Sequence, residues 1–382
     1  MALNAADSLA SFDWTTGRLD LEPVLAMVLL TDTALMGLIG MGPKALATTH
    51  KWNEDDINPV SLTGAESAEY SATDVTLDVT DGSKIRIGTL LKDRAAGKTE
   101  VIQVTAISTN ALTVTRGYGT TDGETHAAAA EWLIVGQPVQ QGDETIADIS
   151  AVPTQSSNYT QIFKRTVKVG GSMQAEAQNG IHPGVPDQLK YQIGQRTLEM
   201  KREMSITLIH SIISATPSDT VYGTIKGLRE FLTASGGNSL SNLGQLIEKQ
   251  VNKLYRQSYD DGGTPSVLVG GPDQITQFSL MNAGKVRIAP SERVAGLFVN
   301  KFLTDLGQEL ELLIDRWFQS DEVALLDKSR AWYSPLQTRE MFSEPLAKSG
   351  DAFRWQLIAE GTLVVKNATK AHAYATALTV PA

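Results

Sequence analysis

Between Ser61 and Asp143 the chain reads as a succession of short two-faced strands, and no other feature limits its fold so tightly. The runs DVTLDV, KIRIGTLL, TEVIQVTAIS, ALTVTR and EWLIVG are separated by turn residues such as Asp81-Gly82, Ala96-Gly97 and Asn110. Strands at a spacing of roughly ten residues predict a small β-barrel or sandwich. The flanking sequence has a different rhythm, so this segment is expected to be an insertion in a larger body.

On the N-terminal side, residues 1–61 mix short apolar runs with Gly, Pro and Asp. They end in KWNEDDINP, whose Pro59 stops any helix. The apolar stretch VLAMVLLTDTALMGLIGMG (Val24–Gly42) is broken by Asp32, whereas a membrane anchor needs about 20 uninterrupted apolar residues. Asp20 and Glu22 stand where a secretion signal would be basic. The expectation is an amphipathic segment that packs on something, in a chain that is cytoplasmic when made.

On the C-terminal side, residues 148–183 read as extended. YTQIFKRTVKVGGS alternates Ile162, Thr166 and Lys168 with Phe163, Val167 and Val169, as a two-faced strand does. Lys164, Arg165 and Lys168 give it a basic, exposed aspect. Next comes the longest helical pattern. Pro186 and Asp187 suit its first turn. Leu189, Ile193, Met200, Met204 and Leu208 recur at helical spacing with Thr197 filling the gap. The pattern runs to about Ser214, before Pro217, roughly 40 Å at 1.5 Å per residue. The remainder reads as α+β. A helix is expected over Leu240–Tyr259, a buried strand in SVLVGG and a short helix over Pro272–Asn282. ELELLID, EVALLD, GTLVVKN and HAYATALTV are read as strands.

Chemistry is sought and not found. The net charge of -10 is opposite to that of a protein built to neutralise nucleic-acid phosphates. The absence of cysteine excludes disulfides, thiolate metal sites and Cys nucleophiles. ALTVTRGYGTT places Arg116 before a Gly-x-Gly turn, like the opening of a phosphate loop. The third glycine, Gly123, is one residue late, and THAAAAEWLIV leaves barely two turns before the next strand. The stretch is read as a turn of the β-domain. His50, His126, His182, His210 and His372 show no i, i+4 pairing. Glu54-Asp55-Asp56 lacks the alternation and glycine of a calcium loop and reads as a solvated turn. Gly170-Gly171-Ser172 fails as a nucleophile elbow because Gln174 replaces the second glycine. No catalytic, cofactor-binding or metal residue is assigned.

The order of elements carries more than any motif. An N-terminal arm, an extended excursion, a long helix and an α+β body resemble the major capsid proteins of tailed bacteriophages, over nearly the whole chain. KWNEDDINP would enter the extended loop, and YTQIFKRTVKVGGS would return from it. DQLKYQIGQRTLEMKREMSITLIHS looks like the spine helix, and LAKSGDAFRWQLIAEGTLVVKNATKAHAYATAL like the closing strand pair. LTVTRGYGTT followed by HAA is similar to the extra β-domain that one branch carries within the extended loop.

The resemblance implies an α+β fold with five parts. Residues 1–61 form the N-terminal arm and outgoing strand, 62–147 the inserted β-domain, and 148–183 the returning strand. Residues 184–224 and 331–382 form the peripheral domain with spine helix 186–214, and 225–330 the axial domain. It implies a virion protein, assembled in the host cytoplasm, that joins copies of itself as hexamers and pentamers of an icosahedral shell around double-stranded DNA. No cofactor, enzyme activity or membrane partner is implied. The chain lacks a charged helical prefix, so a separate scaffolding protein, or none, is expected. Portal and decoration proteins are further partners of such shells, and packaged DNA is a non-specific neighbour. Candidate subunit-interface residues are Lys164, Arg165, Lys168, Trp52, Asp55 and Asp56. Two alternatives stay open: a cellular encapsulin-type compartment, which uses the same fold, and a surface- or glycan-binding protein working through the β-domain.

Overall fold

The computed structural model describes residues 33–55, 57–142, 148–150, 152–175, 188–234, 237–282, 301–348 and 350–380. They fall into two compact units, one of residues Asn53–Ser156 and one of Met1–Trp52 with Ser157–Ala382. Helix α1 (Ala34–Ile39) and strand β1 (Thr49–Glu54) come first. The smaller unit follows with β2 (Ser61–Thr63), β3 (Thr76–Asp78), β4 (Leu90–Asp93), β5 (Val101–Ser108), β6 (Ala111–Thr115) and β7 (Glu131–Gly136). Strand β8 (Thr154–Tyr159) returns the chain and pairs with β1.

The larger unit continues with β9 (Gln161–Gly170), α2 (Gly171–Ala175), α3 (Gln188–His210), α4 (Leu228–Leu232), β10 (Asn238–Gly244), α5 (Glu248–Asp260), β11 (Val267–Gly270) and α6 (Pro272–Asn282). Then come β12 (Lys301–Leu303), β13 (Glu309–Ile314), β14 (Val323–Leu326), β15 (Ala331–Pro335), β16 (Phe342–Pro345), β17 (Ala352–Val365) and β18 (Ala373–Leu378).

The smaller unit closes on itself. Its six strands pair in the order β2-β7-β4-β5-β6-β3, every pair antiparallel. A bridge between Gly64 and Val79 then joins the two ends of that order. The Thr80 N–H donates to Thr63 O and the Ala65 N–H to Asp78 O across this seam. The sheet is thus a barrel, which leaves no edge strand to recruit a stray partner. Alternation sends Leu62, Leu77, Leu91, Ile102, Val104, Leu112, Val114 and Trp132 inward, where they form one core. In KIRIGTLL only the last two residues are strand. Gly88 adopts a left-handed φ of 92° and Thr89 Oγ1 donates to Arg86 O, so residues 84–89 turn before β4 begins.

In the larger unit, β9 runs antiparallel to β17 in unbroken register from Gln161↔Gly361 to Gly170↔Ala352. On its far edge β17 takes β16 and then β15. Phe163, Val167 and Val169 of β9 meet Met200, Met204 and Leu208 of α3 in one core cluster. A second sheet, of mixed direction, has the order β10-β18-β14-β11-β13-β12. Its core joins Val251, Leu254 and Tyr255 of α5 to Leu268, Leu325 and Ala375.

Three expectations need correction. Helix α3 ends at His210, not Ser214. Residues 211–214 bond instead to the segment leading into α4 and to α4 itself: Gly227 N–H donates to Ser211 O, Thr224 Oγ1 to Ile212 O, and Ile213 N–H to Glu230 Oε2. The helix expected from Leu240 begins at Glu248, because NSLSNLG is poor in helix formers and pairs as β10 with β18. Gly171–Ala175 forms a turn of helix where an extended chain was expected. Pro186 and Asp187 lie outside the described residues.

Candidate assembly surfaces

Alternation along β9 sorts the basic residues that the sequence had grouped together. Phe163, Arg165, Val167 and Val169 share the face that meets α3, and Arg165 pairs there with Glu203 of α3 at 2.6 Å. Arg165 is therefore half-buried and held within its own subunit. Lys164 and Lys168 lie on the opposite face, exposed, opposite Ile358 and Arg354 of β17. Neither has an ion pair among the described residues.

The three candidates near the start of the extended loop have different fates. Trp52 is only 7% exposed and packs in the first core cluster, 6.2 Å from the Phe231 ring and 6.0 Å from His50. Its apolar surface is consumed inside the subunit, so it is a core residue. Asp55 is exposed, and Asp56 lies outside the described residues. The larger unit also exposes Ile212 and Tyr222, Tyr222 at 91%. In the smaller unit Ile57, Val60 and Val152 are exposed, Ile57 at 90%.

Within the barrel, sequence reading missed a buried polar cluster. Arg116, whose turn was read as part of the β-domain and not as a phosphate loop, forks onto Glu100, with Nε 2.8 Å from Oε1 and Nη2 2.7 Å from Oε2. Its guanidinium also lies 4.5 Å above the Tyr70 ring and donates to Ser71 O, Asp74 O and Glu124 O. Glu100 accepts as well from the N–H groups of Gly117 (3.0 Å) and Glu124 (2.8 Å). His126 places Nε2 2.9 Å from Glu100 and Nδ1 2.7 Å from Asp93. Burial opposes ionisation of Glu100, but Arg116, the Glu124 N–H, His126 and the Gly117 N–H outweigh it and hold the carboxyl down at about 2. Burial pushes the Tyr70 hydroxyl up to about 12 despite the neighbouring Arg116.

This cluster ties together β4, β5, β6 and the turn after it. Gly117 and Gly119 there take left-handed φ values of 59° and 76°. A Cβ on Gly117 would sit 2.7 Å from Thr121 O, so the turn is shaped to close on Glu100. Every donor of the guanidinium is already engaged by the protein, and its chemistry is that of a structural staple. No sequence motif announced it, because Asp93, Glu100, Arg116 and His126 come from separate strands and turns. Among the described residues, no group of three or more His, Asp, Glu or Cys is placed to hold a metal ion. Nor, among those residues, is any helix long and apolar enough to cross a membrane.

Comparison with known proteins places this architecture. No curated protein matches the chain by sequence. By structure it is similar to the capsid asymmetric unit of cyanophage A-1(L), with a TM-score of 0.54 at 10% identity, covering 97% of this chain and 100% of that one. It is also similar to the capsid of a native GTA particle, with a TM-score of 0.51 at 10% identity, covering 99% and 100%. These likenesses show the fold to be that of tailed-phage major capsid proteins. The sequence profile described as SU10 major capsid protein matches residues 8–379. The chain belongs to the SU10 major capsid protein family and is a structural, shell-forming phage protein.

Proposed function

We propose that copies of this chain join as hexamers and pentamers of a closed icosahedral shell that holds double-stranded DNA, and that they do so without catalysis. The observation that carries the reading is the family match across residues 8–379. In this reading residues 1–61 serve as arm and outgoing strand, 62–147 as the inserted domain and 148–183 as the returning strand. Residues 184–224 with 331–382 form the peripheral domain, and 225–330 the axial domain. Exposed apolar side chains such as Ile57 and Tyr222 become buried only against neighbours, so shell stability is summed over many contacts. The finished location is the virion, after assembly in the host cytoplasm, with scaffolding, portal and decoration proteins as the remaining partners. The test is nuclease protection. Particles purified from lysed host cells should carry this chain as their most abundant protein and shield DNA that becomes digestible after the shell is disrupted. Particles built of another protein, with this chain absent, would refute the reading.

A further inference from the structure

The charge of this chain is segregated. Residues 53–156 contain sixteen Asp and Glu against six Lys and Arg, whereas the rest of the sequence contains twenty-seven of each. The whole net charge of -10 therefore belongs to the barrel unit. On one side of it, Leu77 and Val79 point into the core and alternation turns Thr76 and Asp78 outward, while Asp74 is exposed in the turn that precedes β3. Glu66 lies beside Asp78, accepting its N–H at 2.9 Å, and Glu69 is exposed nearby in sequence. None of these four carboxylates has an ion pair among the described residues.

The larger unit offers the opposite pattern. The face of β9 turned away from α3 exposes Lys164, Thr166 and Lys168, and Arg354 stands across from Lys168 on β17. Lys164, Lys168 and Arg354 likewise have no ion pair among the described residues. The two acids of this face are engaged elsewhere: Glu344 accepts from the Gln356 amide, and Glu360 pairs with Arg339. Asp74 and Asp78 thus form an exposed acidic pair, and Lys164 and Lys168 an exposed basic pair about 13 Å apart along β9.

We infer that the exposed face of β9 docks the barrel of a second copy, with Lys164 and Lys168 against Asp74 and Asp78. The occupant follows from this complementarity of sign, and from the barrel's being the part of the chain that holds its excess of acid. The inference rests on the shell reading, which supplies the second copy. It makes cohesion of the shell sensitive to salt, because exposed pairs are screened over a Debye length of about 8 Å at physiological ionic strength.

The test uses full-length chains assembled into particles. One variant is Lys164→Glu with Lys168→Glu, another is Asp74→Lys with Asp78→Lys, and a third combines all four. All four positions are exposed, and unchanged thermal melting of each variant verifies its fold. At low salt each two-site variant should dissociate at a urea concentration below the parent's, and the gap should narrow as salt screens the new like-charge contacts. The four-site variant should recover, and so should co-assembled mixtures of the two two-site variants. Parent-like particle stability at low salt in both two-site variants would overturn the inference while leaving the shell reading intact. Recovery in the four-site variant without recovery in the mixture would place the contact within one chain and overturn it too. Loss of packaged DNA on reversing the lysines, with no effect from the barrel changes, would identify DNA as the occupant instead. If the parent chain forms no particles, the shell reading itself fails.

Discussion

Replacing Glu100 by Gln should unfasten the inserted barrel and leave the larger unit untouched. The change keeps the shape of a side chain that is fully buried but removes the charge on which four N–H donors and the His126 imidazole converge. Arg116, its side chain 9% exposed, is then left without its counter-charge. A carboxyl held at about 2 against an ordinary 4.5 corresponds to about 3 kcal/mol at 1.36 kcal/mol per unit. Breaking a buried pair by removing one partner costs about 3–5 kcal/mol, in the same range. The pH dependence fixes the cause. Because the folded value is depressed, the contribution is fully present above about 4.5 and is lost as pH falls towards about 2. The difference between parent and variant should therefore be about 3 kcal/mol at neutral pH and shrink on acidification through that window. Hydrogen exchange in the full-length chain reads this directly, since β5 and β6 amides report opening of the barrel and β17 amides do not. A cost below about 1 kcal/mol, or one that does not change with pH, would refute the assignment of Glu100 as the staple's centre.

Three further outcomes are expected. Tyr70, raised to about 12, stabilises the barrel fully below its ordinary value of 10 and loses that contribution as pH rises through 12, so Tyr70→Phe should blunt alkaline unfolding measured by circular dichroism. Met204→Ala removes a buried side chain where α3 meets β9 and should cost about 2–5 kcal/mol in chemical denaturation, with barrel exchange rates unchanged. Arg165→Ala breaks a half-exposed pair with Glu203 and should cost no more than about 1 kcal/mol; a larger loss would show that pair to be a main support of the α3–β9 layer.

Patterns that repeat along the chain were legible in the sequence. The two-residue alternation in YTQIFKRTVKVGGS names the residues that β9 buries, and the helical spacing of Met200, Met204 and Leu208 names the stripe that covers them. The strand rhythm of residues 61–143 anticipated a small β-barrel or sandwich, although not β2, whose three residues are too few to show a period. Where the reading failed, a non-local partner decided the outcome. Leu240 and Leu243 fit a helical stripe but form β10 because β18 offers a parallel edge. Trp52 looked like a surface aromatic beside an acidic run, yet the core around Phe231 takes it in. Arg116 looked free because Glu100, its partner, lies one strand away, and the sequence between them carries no mark of the pairing.

The central claim is that this chain builds a shell, and cryo-imaging of particles formed by the purified full-length protein tests it most directly. The account predicts closed icosahedral shells with six-fold and five-fold capsomers, with the density of each copy accommodating both the β9–β17 layer and the separate six-stranded barrel. A chain that remains monomeric under every assembly condition, and is missing from the shell of native virions, would contradict it.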